Sequence, residues 1–285
     1  MLQTILSFGR MIKFSHTVFA LPFALSAVIL AGQQIQLNGW DIFWIIIAMI
    51  GARSSAMGFN RIMDARIDAK NPRTLNREIP SGKISIKQSI LFVCCFSMVF
   101  VISAYMLNMI CFVCSIPVLF ILFFYSFTKR FTQFSHMYLG FAISLAPLGS
   151  WVAATNNFDV SIVILSLALL THISGFDILY ACQDHGFDIE EGLFSIPSRY
   201  GIQKALMVSR TLHLLSFVCF VAIFFIFKLG PIYFIASIII GLLLFFEHTM
   251  VNINNLSRIP IAFFHMNSAV SLVLFAGIAC DAFFS

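Results

Sequence analysis

Charge is what this chain has least of. Only 10% of its 285 residues are Asp, Glu, Lys or Arg, while 60% are hydrophobic, and mean hydropathy is +0.96. A soluble domain of this length carries about 25% charged residues, so an ordinary water-soluble fold is excluded. Linker signals are also missing: 8 Pro and 15 Gly are spread without clusters, so one domain is expected over residues 1–285. The seven cysteines lie scattered in apolar stretches, and Cys111-x-x-Cys114 lacks the second pair that a zinc site needs. They are read as helix-packing residues, with no structural disulfide. The first apolar run is too long for a cleavable signal and no small-residue cleavage site follows it. Nothing resembles a transit peptide, so the expected location is a bacterial or archaeal plasma (inner) membrane.

What is abundant is the long apolar run. Nine are expected to span the bilayer: Phe14–Gly32, Ile42–Asn60, Gln88–Leu107, Met109–Phe127, Met137–Thr155, Val160–Ala181, Ala205–Phe227, Ile232–Phe246 and Pro260–Ala279. The eighth is short unless it continues through Glu247 and His248. The expected class is an all-α membrane protein. Basic residues fall mostly in alternate loops: Arg10 and Lys13 before span one, seven between spans two and three, Lys129 and Arg130 after span four, Arg199, Lys204 and Arg210 after span six, and Arg258 after span eight, with Lys228 alone in the turn between spans seven and eight. The loops at 33–41 and 156–159 carry none. The positive-inside rule then puts the N-terminus in the cytoplasm and the C-terminus outside. This bias accounts for the net charge of +5 without a nucleic-acid partner.

The few acids are not scattered at random. Asn60-x-x-x-Asp64-x-x-x-Asp68 recurs in outline 120 residues later as Tyr180-x-x-x-Asp184-x-x-x-Asp188. Each trio follows an apolar run on the expected cytoplasmic side. Four helical residues turn about 400°, so each trio is expected along one helix face. Paired carboxylates of this kind repel unless a cation joins them, and hard oxygen ligands suit Mg²⁺ sharing its shell with a phosphate. The repeat also suggests two four-helix halves, spans two to five and six to nine.

Around these trios lie Arg53, Arg77 in an Arg73-Thr-x-x-Arg77…Pro80-Ser-Gly segment, and Tyr125-Ser-Phe-Thr-Lys129-Arg130. The whole pattern resembles the UbiA superfamily of intramembrane prenyltransferases, in particular the 4-hydroxybenzoate polyprenyltransferase branch. The resemblance implies helices around a central cavity with cytoplasmic cap loops, open sideways to lipid. It further implies Mg²⁺-dependent transfer from a polyprenyl diphosphate to an aromatic acid in quinone biosynthesis. Residue by residue, it makes Asp64, Asp68, Asp184 and Asp188 the catalytic, metal-binding carboxylates. Asn60, Arg77, Lys129 and Arg130 are implied at the diphosphate. Arg53, Asp177 and Tyr180 are implied at the acceptor, with an ion pair to a base as the other reading of Asp177. Two positions depart from the family pattern: Arg61 stands where an Asp is usual, and Phe194 where a Lys is frequent.

The chemistry is coherent on physical grounds alone. Diphosphate leaves only when its charge is neutralised, by metal ions and by fixed Arg and Lys. The allylic cation left behind needs a dry pocket, and a phenol ring is electron-rich ortho to its oxygen. A long prenyl chain is itself a reason to embed the site in lipid. A dihydroxynaphthoate fits the acceptor features nearly as well as 4-hydroxybenzoate. Acids in spans also mark ion-coupled transporters, which place them near the midplane on broken helices rather than at helix ends. His16, His172 and His213 are expected to bond between helices rather than to ligate metal.

Overall fold

Hydropathy windows place the helices, and charge ends them. The computed structural model describes residues 2–13, 19–251, 256, 259 and 262–284. Its helices are α1 (Leu2–Met11), α2 (Leu21–Ala31), α3 (Gly39–Asp68), α4 (Ile86–Leu107), α5 (Met109–Thr128), α6 (Ser135–Thr155), α7 (Val163–Ala181), α8 (His185–Glu190), α9 (Ile196–Ile226), α10 (Pro231–Met250) and α11 (Asn267–Phe284). No strand occurs among the described residues. Eight segments among them are long and apolar enough to cross a membrane. These match predicted spans two to nine. Span one is represented by the 11 residues of α2, since 14–18 lie outside the described residues, as does His16. Arg258 lies outside them too. Span eight does continue through Glu247 and His248 to Met250.

Helix α3 has 30 residues, about 45 Å at the helical rise, against roughly 30 Å of hydrocarbon. Its surplus turns carry Asn60, Asp64 and Asp68 beyond the apolar stretch on one continuous helix. The second trio is built differently, which corrects the expectation of a single helix face. Tyr180 lies in the last turn of α7, Asp184 ends a 3₁₀ turn (Cys182–Asp184), and Asp188 sits in the short α8. At Asp184 the backbone leaves helical geometry (φ −98°, ψ 8°), so equal spacing there does not give an equal face.

The helices group into two compact units, Met1–Thr17 with Gly39–Phe127, and Val18–Asn38 with Thr128–Ser285. In the first, α4 lies close along α3 because Gly51 and Gly58 have no side chain. A Cβ at Gly51 would sit 2.8 Å from the Phe100 nitrogen, and one at Gly58 2.8 Å from the Val93 methyl. Ser85 and Gln88 form a capping box at the start of α4. The end of α1 is held by Met11 and Ile12, packed with Ile84, Phe8 and Phe92.

The second unit is centred on the segment Val160–Glu190, whose apolar window is 67% buried against 17% for α4 and α5. Its core includes Phe23, Trp151, Leu169, Ile173, Phe220 and Tyr233. Span five (α6) packs within this unit, on α2 and α7. A polar ladder joins α9 to α7: Ser209 donates to the Gly175 carbonyl (2.7 Å), Ser216 to that of Ala168 (2.9 Å), and His213 Nε2 reaches that of His172 (3.2 Å). Hydrogen bonds of this kind hold helices together in lipid, where burial of apolar surface does not. His248 Nε2 lies 3.0 Å from His213 Nδ1 and extends the ladder to α10. Asp281, buried in α11, accepts from the Gly230 and Tyr233 N–H groups (2.6 and 3.2 Å), placing its negative charge at the N-terminus of α10.

The α6–α7 contact depends on Gly140. A Cβ there would meet Ser174 Oγ and would lie 2.5 Å from the Leu170 carbonyl oxygen, whereas one at Gly149 on the same helix meets nothing within 4 Å. Gly140→Ala should therefore destabilise the protein by about 1–3 kcal/mol, the usual cost of overpacking. Gly149→Ala should be neutral or slightly stabilising, as alanine favours a helix. Thermal unfolding of the two purified variants in detergent checks this, and equal midpoints would contradict the close contact.

Candidate functional site

At the end of α3 the first trio is almost sealed from solvent, with Asp64 3% and Asp68 4% exposed. Asn60 Nδ2 donates to Asp64 Oδ2 at 3.0 Å. Arg77 Nη1 donates to both oxygens of Asp68 at 2.7 Å. The chain returns Arg77 to that place through a folded loop. Asn71 Oδ1 accepts from the Arg73 N–H (2.9 Å), Thr74 N–H bonds the Asn71 carbonyl (2.9 Å), and Thr74 Oγ1 donates to the Asp68 carbonyl (3.1 Å). An Asx turn before proline is the local signal for that reversal.

Two further arginines of α3 point to the end of α1. Arg61 Nε donates to the Met11 carbonyl (3.1 Å), and Arg53 Nη2 to that of Lys13 (3.3 Å). Cations there meet the negative end of a helix whose last carbonyls lack partners. Arg61, the departure from the family pattern, is 6% exposed and so serves as a buried tie between α1 and α3. Arg53 keeps a second feature: its Nε is buried with no hydrogen-bond partner among the described residues. A buried donor left in this state is a place for a ligand acceptor atom. Burial, then the positive charges of Arg61, Arg77, Arg73 and Arg53, hold the Lys13 amine down at about 8. Four arginines thus act on Lys13, and two of them, Arg61 and Arg77, also act on Asp64 or Asp68, an arrangement that favours an anionic ligand.

The second trio lies in the other unit. Ser195 Oγ donates to Asp188 Oδ2 (2.8 Å) while capping α9. The loop between them turns at Gly192 (φ +67°), and Leu193 N–H returns to the Asp188 carbonyl (2.8 Å). Phe194, the other departure, donates its N–H to the Lys129 carbonyl (2.8 Å), and the Arg199 guanidinium lies 4.0 Å above its ring. That backbone bond brings the loop carrying Lys129 and Arg130 to the segment after the second trio. Asp177 Oδ2 is 2.7 Å from His136 Nδ1. Of the two roles weighed for Asp177, the pairing with a base is the one present. His136 and Ser195 were not candidates from sequence. A histidine 41 residues from its aspartate, on a neighbouring helix, leaves no spacing signal.

Among the described residues no three His, Cys, Asp or Glu side chains converge to cage a metal ion. Each trio instead offers two carboxylates. That suits Mg²⁺, which keeps several waters and binds through one or two carboxylates plus substrate phosphates. The donor set therefore fits the ion.

The family described as the UbiA prenyltransferase family matches residues 20–269. The chain belongs to that family. Among curated relatives, the 4-hydroxybenzoate octaprenyltransferase of Saccharophagus degradans is 27% identical over 246 residues, covering 86% of this chain and 82% of that protein. That of Nitrosomonas eutropha is 29% identical over 246 residues, covering 85% of each. Among solved structures, the apo form of a UbiA homolog from Aeropyrum pernix aligns with a TM-score of 0.85 at 29% identity, over 93% of this chain and 98% of its own. A UbiA homolog from Archaeoglobus fulgidus bound to GPP and Mg²⁺ shares the fold, with a TM-score of 0.71 at 18% identity, over 96% and 99% of the chains. The all-helical fold expected from the sequence is the UbiA fold, and the chain is a multi-pass membrane enzyme of this family.

The charge cluster at α3 has a measurable consequence. At pH 8 the Lys13 amine should be about half unprotonated, against roughly one part in 300 for a lysine at its ordinary value. Amine labelling followed by mass spectrometry across pH should give a midpoint near 8 for Lys13. Replacing Arg61 by Leu should raise it, since one repelling charge is gone. A midpoint near the ordinary lysine value in the wild type would contradict the crowding.

Proposed function

We propose that this protein transfers a polyprenyl group from a polyprenyl diphosphate to an aromatic hydroxy acid of the 4-hydroxybenzoate class, with Mg²⁺, in quinone biosynthesis. The observation that carries the reading is the buried pair Asp64 and Asp68 beside Arg61 and Arg77, which in turn act on Lys13. Carboxylates for a divalent ion beside an excess of fixed cations suit a ligand that arrives as a metal diphosphate. The relatives named as octaprenyltransferases of 4-hydroxybenzoate support the acceptor class.

In this reading Asp64 and Asp68 hold Mg²⁺ in one unit, and Asp184 and Asp188 in the other. Bound Mg²⁺ supplies charge neutralisation to the departing diphosphate. Asn60 and Arg77 orient the phosphate oxygens at the first trio, and Lys129 and Arg130 serve the same end at the second. The prenyl carbon–oxygen bond breaks with its electron pair going to diphosphate, and the ring carbon ortho to the phenol oxygen attacks the allylic carbon. The ring proton is then released. Arg53 takes the acceptor carboxylate, having a buried N–H without a partner among the described residues and lying two helical turns before Asn60, about 10 Å by helix rise. Tyr180 lines the acceptor side. Asp177 has one carboxylate oxygen on His136, which supports its reading as the partner of a base rather than an acceptor contact. The bias of basic residues supports a cytoplasmic N-terminus at the plasma (inner) membrane, with the C-terminus outside.

Transfer measured on purified variants tests these roles together. Asn substitution at Asp64, Asp68, Asp184 or Asp188 should each cut turnover at least about a hundredfold, as removal of a preorganised charge-stabilising group does. Arg53→Ala should instead raise the acceptor KM about ten- to a hundredfold, from loss of a charge-assisted hydrogen bond of about 1.5–3 kcal/mol, with the prenyl diphosphate KM little changed. Near-normal turnover in two of the Asn variants would refute the metal assignment. A rise confined to the diphosphate KM would move Arg53 out of the acceptor site.

A further inference from the structure

Four successive backbone N–H groups follow Gly192, and each has its own partner. Leu193 donates to the Asp188 carbonyl (2.8 Å), Phe194 to the Lys129 carbonyl (2.8 Å), Ser195 to Ser198 Oγ (2.9 Å), and Ile196 to His136 Nε2 (3.4 Å). The last of these is the unusual one, because a side chain from the first turn of α6 receives a backbone donor 60 residues away. His136 is 4% exposed, so it works without water. Its other nitrogen, Nδ1, meets Asp177 Oδ2 at 2.7 Å. A carboxylate accepts and does not donate, so Nδ1 carries the proton and Nε2 is left as the acceptor that the Ile196 N–H requires. Both ring nitrogens are thereby committed, and the imidazole has no free atom with which to carry a proton to or from a substrate.

What lies beside Ile196 gives this pair its purpose. Ser195 Oγ donates to Asp188 Oδ2 at 2.8 Å and also accepts from the Ser198 N–H at 3.2 Å, so the hydroxyl proton is aimed at the carboxylate. The direction of that aim depends on where the backbone at 195–196 is held. We propose that His136, braced by Asp177, is a positioning residue that sets the Asp188 carboxylate through Ile196 and Ser195. The sequence of contacts runs Asp177, His136, Ile196 N–H, Ser195 Oγ, Asp188. It joins α6, α7 and the start of α9, and it lies wholly within one unit. Outer-shell groups that orient ligating carboxylates commonly alter metal affinity when removed. The purpose assigned to the pair rests on the reading that Asp188 holds a diphosphate-bound cation.

The test uses purified full-length protein and labelled geranyl diphosphate, with no aromatic acceptor present. His136→Leu removes both bonds. His136→Gln keeps them in kind, since its amide N–H donates to Asp177 and its oxygen accepts from Ile196. The Mg²⁺ concentration for half-maximal geranyl diphosphate binding should rise about tenfold in His136→Leu and stay within about twofold in His136→Gln. Ser195→Ala should give a similar rise, and the double variant His136→Leu with Ser195→Ala should be no worse than Ser195→Ala alone. Hydrogen exchange over 192–198 should quicken in His136→Leu and not in His136→Gln. If His136→Leu does not fold, Asp177→Leu, which frees Nδ1 alone, should shift both readouts in the same direction. Unchanged exchange, additive effects with Ser195→Ala, or an unchanged Mg²⁺ requirement in His136→Leu would each overturn the proposal. Wild-type protein that binds geranyl diphosphate regardless of Mg²⁺ would refute the metal reading and the purpose given to the pair. The exchange comparison would still decide whether His136 holds the loop.

Discussion

A charge on a helix at the edge of a bilayer persists only where protein supplies its partner, and both acidic trios are built to that requirement. The two edges meet it differently. At the first, Asp68 is paired in both oxygens with Arg77, and the surrounding cations outnumber the acids. At the second, Asp188 is held by the neutral hydroxyl of Ser195, and a hydrogen bond between His136 and Asp177 lies one step back. Breaking a buried pair on one side leaves a charge uncompensated, which costs far more than the pair itself contributes.

The same constraint shapes the scaffold. Surplus turns of α3 exist to carry acids past the hydrocarbon, and the end of α1 receives two arginines that would otherwise be stranded in an apolar helix. Within the second unit, Ser209, His213 and Ser216 face the carbonyls of α7, and Asp281 faces the open N–H groups of α10. Glycines at 51, 58 and 140 let α3 approach α4, and α6 approach α7, closely. Packing and polar pairing are one arrangement here.

Spans two to nine were legible because twenty apolar residues in a row have few other uses, and the trios because paired carboxylates at the end of a span are costly without function. The loop that returns Arg77 to Asp68 was legible in part, from Asn71-Pro72 and the basic residues after it. Other features left no trace. The acceptors of Arg61 and Arg53 are backbone carbonyls about 40 to 50 residues away, and a carbonyl has no sequence signature. Identical spacing concealed that one trio lies on a continuous helix and the other crosses a 3₁₀ turn. The close packing of α6 on α7 depends on Gly140 and could not be read from a repeat of motifs.

The claim on which the rest depends is that the acidic trios serve a prenyl transfer to an aromatic acid. The most direct measurement incubates purified wild-type protein in lipid with a labelled polyprenyl diphosphate. Reactions carry 4-hydroxybenzoate or a dihydroxynaphthoate, each with Mg²⁺ or with chelator, and both prenylated product and free diphosphate are followed. Equal amounts of C-prenylated 4-hydroxybenzoate and diphosphate, formed only with Mg²⁺, are the predicted result. No prenylated product from either acid, or transfer that proceeds unchanged in chelator, would contradict it.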